Sequence, residues 1–142
     1  MKRTTVGLLL TDGTRFLACH STGNRFYDLP KGLPEEGESA LETCRREVRE
    51  ETGLDISGIE LNDFGVLPYT REKNLHLFVW RTSQLPDTGG LVCTSFFPHP
   101  YTGKSTPEVD GYKYIDFHEK ELYLAKSMVR TLSIVEDKLL IR

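Results

Sequence analysis

Short apolar runs alternate with polar, turn-rich stretches along the chain, and two segments carry a helical period. Thr4–Leu10 and Arg15–His20 are apolar-rich and are separated by Thr11-Asp12-Gly13-Thr14. Asp-Gly between two such runs predicts a hairpin, because both residues accept positive φ at low cost. Phe26–Leu29 predicts a further short strand ended by Pro30, and the KGLPEEGE stretch that follows reads as a loop. A helix is predicted to begin at Ser39. Ser39 with Glu42 fits a capping box, Leu41, Cys44 and Val48 form an apolar stripe, and Gly53 stops the helix in a left-handed conformation. Strands are predicted over Ile59–Leu67, Leu75–Arg81, Leu91–Phe97 and Gly111–Phe117. From about Glu119 a second helix is expected, with Leu122, Ala125, Val129, Leu132 and Leu139 near helical spacing and Met128 and Val135 beside them. Strands, a helix, more strands and a closing helix make a layered α+β or α/β domain. No linker divides it, so residues 1–142 are expected to form one domain.

Composition narrows the function classes more than the fold. With 38% hydrophobic and 27% charged residues and a net charge of −3, the chain has an ordinary globular balance and no basic tail for long polyanions. A small phosphorylated substrate held through metal ions stays compatible with that charge. The longest early apolar run, Val6–Leu10, is too short for a signal sequence or a membrane span. Cys19, Cys44 and Cys93 follow no metal-ligand or CxxC spacing, and reduced structural thiols of a cytoplasmic protein are expected.

The stretch Arg45–Leu54, RREVREETGL, packs three glutamates into five positions. On a helix, Glu47 meets Glu50 at i, i+3 and Glu51 at i, i+4, away from the apolar stripe. Such a face either lies in water, paired with Arg45, Arg46 and Arg49, or presents oxygen ligands to a hard divalent cation. The preceding loop adds a fixed pattern, G-x5-E-x7-R-E-V-x-E-E-x-G-L, beginning at Gly32 and passing through Glu38.

That string, Gly32 to Leu54, resembles the Nudix box at every defining position, and Leu29-Pro30-Lys31 resembles its usual lead-in. The resemblance implies the Nudix fold, a mixed sheet between helices (an α/β/α sandwich). It also implies Mg²⁺-dependent hydrolysis, with Mn²⁺ as a substitute, of a nucleoside diphosphate linked to another group. Carried over by position, Glu47, Glu50 and Glu51 would supply metal carboxylates, and one of them or a carboxylate outside the box would be the general base. Arg46 and Glu38 would orient those carboxylates, and the backbone carbonyl at Lys31 or Gly32 would be a further ligand. Lys31, Arg25 and Arg71 are candidate phosphate clamps, each with an ordinary surface role as the alternative.

Outside the box, Glu108 to Tyr114 resembles the glutamate-led, aromatic-basic-aromatic stretch of diadenosine tetraphosphate hydrolases and RNA 5′-pyrophosphohydrolases. By that resemblance Glu108 would lie near the metals. Tyr69, which follows Pro68, either stacks on a base or is a half-buried strand-end aromatic. Phe96–Tyr101 is either a base-binding lid or core packing, and His99 has no partner at ligand spacing. The leading expectation is hydrolysis of dinucleoside polyphosphates, diadenosine tetraphosphate first. The alternatives are pyrophosphate removal from the 5′ end of RNA, hydrolysis of ADP-ribose or modified nucleoside triphosphates, and a non-catalytic nucleotide-binding role. The lead-in Leu29-Pro30-Lys31-Gly32-Leu33 departs from the F-P-Q-G-G usual in the RNA enzymes, and basic residues for tracking a phosphate backbone are few.

Overall fold

The first expected hairpin forms and then opens. Strands β1 (Arg3–Thr11) and β2 (Arg15–Ser21) join through a turn in which only Gly13 takes a positive φ, +102°. Asp12 was expected to share that conformation. Instead its carboxylate closes the turn, accepting from the Thr14 and Arg15 N–H groups at 2.9 and 3.0 Å. The ladder between the two strands is confined to Thr11 opposite Phe16. Two short strands enter the gap: β3 (Tyr27–Asp28) pairs with β2, and β4 (Lys31–Gly32) pairs with β1. The predicted loop at Lys31 therefore starts inside the sheet, with Lys31 opposite Gly7 and Gly32 opposite Val6.

The computed structural model describes residues 2–140, so Met1, Ile141 and Arg142, at the ends of the expected domain, lie outside the described residues. After β4 come helix α1 (Ala40–Thr52), β5 (Asn62–Pro68), β6 (Lys73–Arg81), β7 (Phe96–Pro98), β8 (Ser105–Pro107) and β9 (Val109–Asp116). Two helices close the chain, α2 (Lys120–Tyr123) and α3 (Lys126–Leu140). Strand β6 runs parallel to β1, and β5 and β9 pair antiparallel with β6 and β2, so the main sheet is mixed. β1 is buried on both faces, which explains its near-continuous apolar run. Its alternate side chains feed two cores. Val6, Leu8 and Leu10 meet Cys44 and Val48 of α1, while Leu9 joins Met128, Leu132 and Val135 of α3. The expected α/β/α sandwich is the observed one.

Helix α1 obeys its local signals. Ser39 Oγ accepts from the Glu42 N–H, the Glu42 carboxylate accepts from the Ser39 N–H, and Gly53 caps the other end at φ 78° with its N–H on Arg49 O. The closing helix is corrected in two ways. The chain breaks at Leu124, whose backbone is extended, so the expected single helix becomes a short α2 and a longer α3. Leu122, assigned to the apolar stripe, consequently falls out of phase and is 74% exposed, whereas Leu124 is buried beside Tyr27. The strand predicted over Leu91–Phe97 shrinks to β7, which pairs only with β8 in a separate hairpin. No helix among the described residues is long and apolar enough to cross a membrane.

Candidate active site

The opened β1–β2 hairpin and helix α1 together fix the acidic face. Its centre is Arg46. The guanidinium Nη1 donates to Glu47 Oε1 at 2.7 Å and to both Glu50 oxygens at 3.1 and 3.2 Å. Nε and Nη2 donate to the two oxygens of Glu38 at 2.7 and 3.0 Å, and Nη2 also reaches Leu33 O. Glu35 stands 3.0 Å from the same Nε. One arginine therefore ties the loop to the helix and fixes the orientation of two glutamates. Thr43 Oγ1, one turn into the helix, donates to Glu38 at 3.0 Å and holds it from the other side.

Glu51 points elsewhere. It is only 8% exposed and lines a cavity of about 190 Å³ with Glu108, Asp28 and Lys31. Burial, followed by a hydrogen bond with Glu47, pushes its carboxyl up to about 10. Glu50 is also raised, by burial first and by the Glu47 charge second. Lys31 sits 3.0 Å from Asp28 Oδ2. Burial is the largest single influence and acts to lower its pKa, but the charge and hydrogen bond of Asp28, with Tyr69 and Glu51, together make the net shift upward. The expected convergence of Glu47, Glu50 and Glu51 is thus partial. Glu47 bridges Arg46 and Glu51, and among the described residues no three acidic, histidine or cysteine side chains stand together as a ready metal cage.

The donor set nonetheless fits a hard divalent cation. Five carboxylates, Asp28, Glu47, Glu50, Glu51 and Glu108, face two cationic groups, Lys31 and Arg46. All the anionic donors are oxygens, and a phosphate would be repelled there without added positive charge. Gly32 completes the cradle. A methyl group at that position would collide with the Glu47 carboxylate, so glycine alone lets the carboxylate lie against the β4 backbone. A larger hollow, about 280 Å³, lies among Gly13, Arg81, Phe117 and His118, but its one carboxylate, Glu136, is already paired with Lys120 at 2.8 Å.

A model of the NUDIX domain matches residues 1–132. The chain belongs to that family. It is a Nudix hydrolase, an enzyme acting on phosphoric anhydride bonds. The NUDIX domain of Shewanella oneidensis NrtR, complexed with ADP ribose, has the same fold at 14% identity and a TM-score of 0.68, covering 100% of this chain and 90% of that one. The Escherichia coli dihydroneopterin triphosphate pyrophosphohydrolase superimposes at 17% identity and 0.67, covering 100% and 99%. A bifunctional NMN adenylyltransferase/ADP ribose pyrophosphatase from Francisella tularensis, complexed with AMP and manganese, does so at 16% and 0.70, covering 98% of this chain and 42% of that one. No curated protein matches the chain in sequence.

Around this Nudix box the remaining expected residues separate. Lys31 and Glu108 share the cavity with Glu51, although Glu108 is distant in sequence and follows β8, at the foot of the β7–β8 hairpin. Tyr69 is half-buried against the α3 core, with its hydroxyl toward Ser127 and Lys31 and the Lys31 Nζ 5.8 Å from its ring centre. It is the strand-end aromatic rather than a free stacking face. Arg25 is exposed on the turn after β2, where its guanidinium covers the Phe26 ring at 4.9 Å and does not line the cavity. Arg71 borders a surface hollow with Lys2, Arg3 and Lys73, also outside the cavity. His99 Nδ1 accepts from the N–H groups of Tyr101 and Thr102, which gives that histidine a turn-forming role. Asp28, which holds Lys31, was not foreseen. Its signal was present as the i, i+3 spacing across Leu29-Pro30, but only the splayed hairpin brings both side chains to the cavity.

Glu38 gives a pH test of the Arg46 cluster. The Arg46 hydrogen bonds, then the Glu35 N–H, hold its carboxyl down at about 2, against an ordinary 4.5. A depressed pKa contributes stability above pH 4.5 that is lost as pH falls through about 2. The stability gap between wild type and Glu38→Gln, measured by urea unfolding, is therefore expected to be full at pH 7, to narrow below pH 4.5 and to close near pH 2. A gap independent of pH would place the effect in packing instead.

Proposed function

We propose that the enzyme hydrolyses the pyrophosphate linkage of a nucleoside diphosphate joined to a second group, with Mg²⁺ as its cation and Mn²⁺ as a substitute. The observation that carries this reading is the meeting of Glu51, Glu108 and Lys31 in one cavity, beside a Glu47 seated on Gly32. Glu47, Glu50, Glu51 and Glu108, with the backbone carbonyl at Lys31 or Gly32, would hold the cation. Such ions, when bound, neutralise phosphate charge, acidify a water and stabilise the leaving oxygen.

The chain's own groups do the positioning. Lys31, charged and fixed by Asp28, would contact a phosphate oxygen as a point charge. Arg46 fixes the orientation of Glu47 and Glu50, and whichever of these carboxylates is free of the cation would accept the proton of the attacking water.

Dinucleoside polyphosphates, diadenosine tetraphosphate first, are the substrate class we favour, because Glu108 of the Glu108–Tyr114 stretch lines the cavity with Glu51. Tyr69 no longer supports that class, being packed against the α3 core. ADP-ribose is the second reading, supported by the fold shared with an ADP-ribose-bound domain and with an ADP ribose pyrophosphatase. Incubation with Mg²⁺ and each substrate, with products resolved by mass, separates them. ATP plus AMP from diadenosine tetraphosphate supports the first, and AMP plus ribose 5-phosphate from ADP-ribose the second. Faster release of phosphate or pyrophosphate from 5′-triphosphate RNA would overturn both.

A further inference from the structure

We propose that the β7–β8 hairpin is the arm that holds the substrate's nucleobase, with Phe96 as the stacking face; this rests on the nucleotide reading above. The hairpin is independent of the main sheet, since β7 and β8 pair only with each other. Its feet are fastened to the site. The Thr94 N–H donates to Glu50 O at 2.7 Å, and the Glu108 N–H donates to Ser95 O at 2.9 Å. Thr22, in the turn after β2, clamps the returning strand through its N–H on Glu108 O at 3.0 Å and its hydroxyl on Pro107 O at 2.6 Å. Both feet therefore end on the backbone of a candidate metal-binding glutamate.

What the arm carries is not spent on folding. Phe96 is 53% exposed and Tyr101 at the tip 92% exposed, and with Val92 they make up three of the six large apolar side chains left open among the described residues. The tip's turn is closed by backbone groups: His99 Nδ1 accepts from two N–H groups and the Gly103 N–H closes on His99 O at 2.9 Å, with the Tyr101 ring tilted beside His99 at 5.9 Å. Exposed aromatic rings on a rooted hairpin offer flat faces to a planar ligand.

Charge points to the same occupant. Between Asp87 and Glu108 there is no acidic residue, in a chain that holds 21, while His99 and Lys104 lie within the span. An arm free of negative charge suits a ligand that carries phosphates. Phe96 follows Ser95, whose carbonyl accepts from the N–H of the cavity-lining Glu108, so the exposed ring is carried on the strand rooted beside the cavity. In the proposed arrangement the phosphates lie against Glu51 and Glu108 and the base is held on the arm, against Phe96.

Phe96→Ala, Phe96→Trp and the double variant Phe96→Ala/Tyr101→Ala test this, with ADP-ribose or diadenosine tetraphosphate set against the base-free 5-phosphoribosyl 1-pyrophosphate. The alanine variant is expected to raise KM for the nucleotide about tenfold. Phe96→Trp should restore it, and the base-free substrate should not distinguish the variants. An unchanged nucleotide KM in the double variant overturns the proposal while leaving the hydrolase reading intact. If none of these substrates is turned over, AMP and ribose 5-phosphate binding by calorimetry decides separately. Tighter binding of AMP that weakens about tenfold in Phe96→Ala supports the arm; equal binding of the two ligands, or no loss in the variant, overturns it.

Discussion

Glu51→Gln is expected to lower Mg²⁺-dependent turnover by about a hundredfold or more, while the metal-free protein melts at or above the wild-type temperature. The two halves of that result come from one geometry. Glu51 is buried in the cavity shared with Glu108 and Lys31, so its carboxylate is presented to a cation in the site rather than to solvent. Without a cation, burial and the Glu47 hydrogen bond raise its carboxyl to about 10. A raised carboxyl pKa contributes stability that is full below the ordinary 4.5 and falls away as pH rises toward 10. Glutamine is neutral at every pH and can donate to Glu47 in place of the carboxyl proton, so it removes that dependence. At pH 8 the variant should be at least as stable as the wild type, and added Mg²⁺ should raise the melting temperature of the wild type much more than that of the variant. Undiminished turnover in the variant would remove Glu51 from the metal site.

Gly32→Ala is the second large effect. Gly32 does not have a positive φ, so its glycine is required by space rather than by backbone conformation. A Cβ there would occupy the Glu47 carboxylate. The β4 backbone is held in its ladder opposite Val6, so the carboxylate must give way and leave its place on Arg46. Displacement of a reacting group by about an ångström costs roughly a hundredfold in rate, whereas the fold gives way at little cost because what moves is the end of a side chain. Gly58→Ala is the control, because a methyl group there meets nothing within 4 Å and its φ is not positive. Turnover of the two variants should differ sharply. Equal behaviour would mean that the Glu47 seat is not formed.

Features written in local sequence were legible. The Ser39–Glu42 capping box and the Gly53 stop depend on neighbours within one turn, and both form as read. The Nudix box has fixed spacing on a loop and a helix, so its carboxylates could be named from the string alone. Features that depend on distant packing were not legible. The opening of the first hairpin, which admits Lys31 and Gly32 to the sheet, is a choice among strand partners that no local pattern encodes. Leu122 kept helical spacing across a break that only the seat of Leu124 beside Tyr27 reveals. Arg25 and Tyr69 have suitable chemistry, but one lies over Phe26 and the other packs against the core. The convergence of Glu38, Glu47 and Glu50 on Arg46 likewise becomes visible only in three dimensions, although each residue was named.

Binding of Mn²⁺ to the substrate-free protein, followed by the loss of the free-ion paramagnetic resonance signal, tests the central claim most directly. Saturable binding that weakens at least about tenfold in Glu51→Gln, and that Mg²⁺ displaces, is the expected result. Equal Mn²⁺ binding by wild type and variant would contradict a cation site built on helix α1.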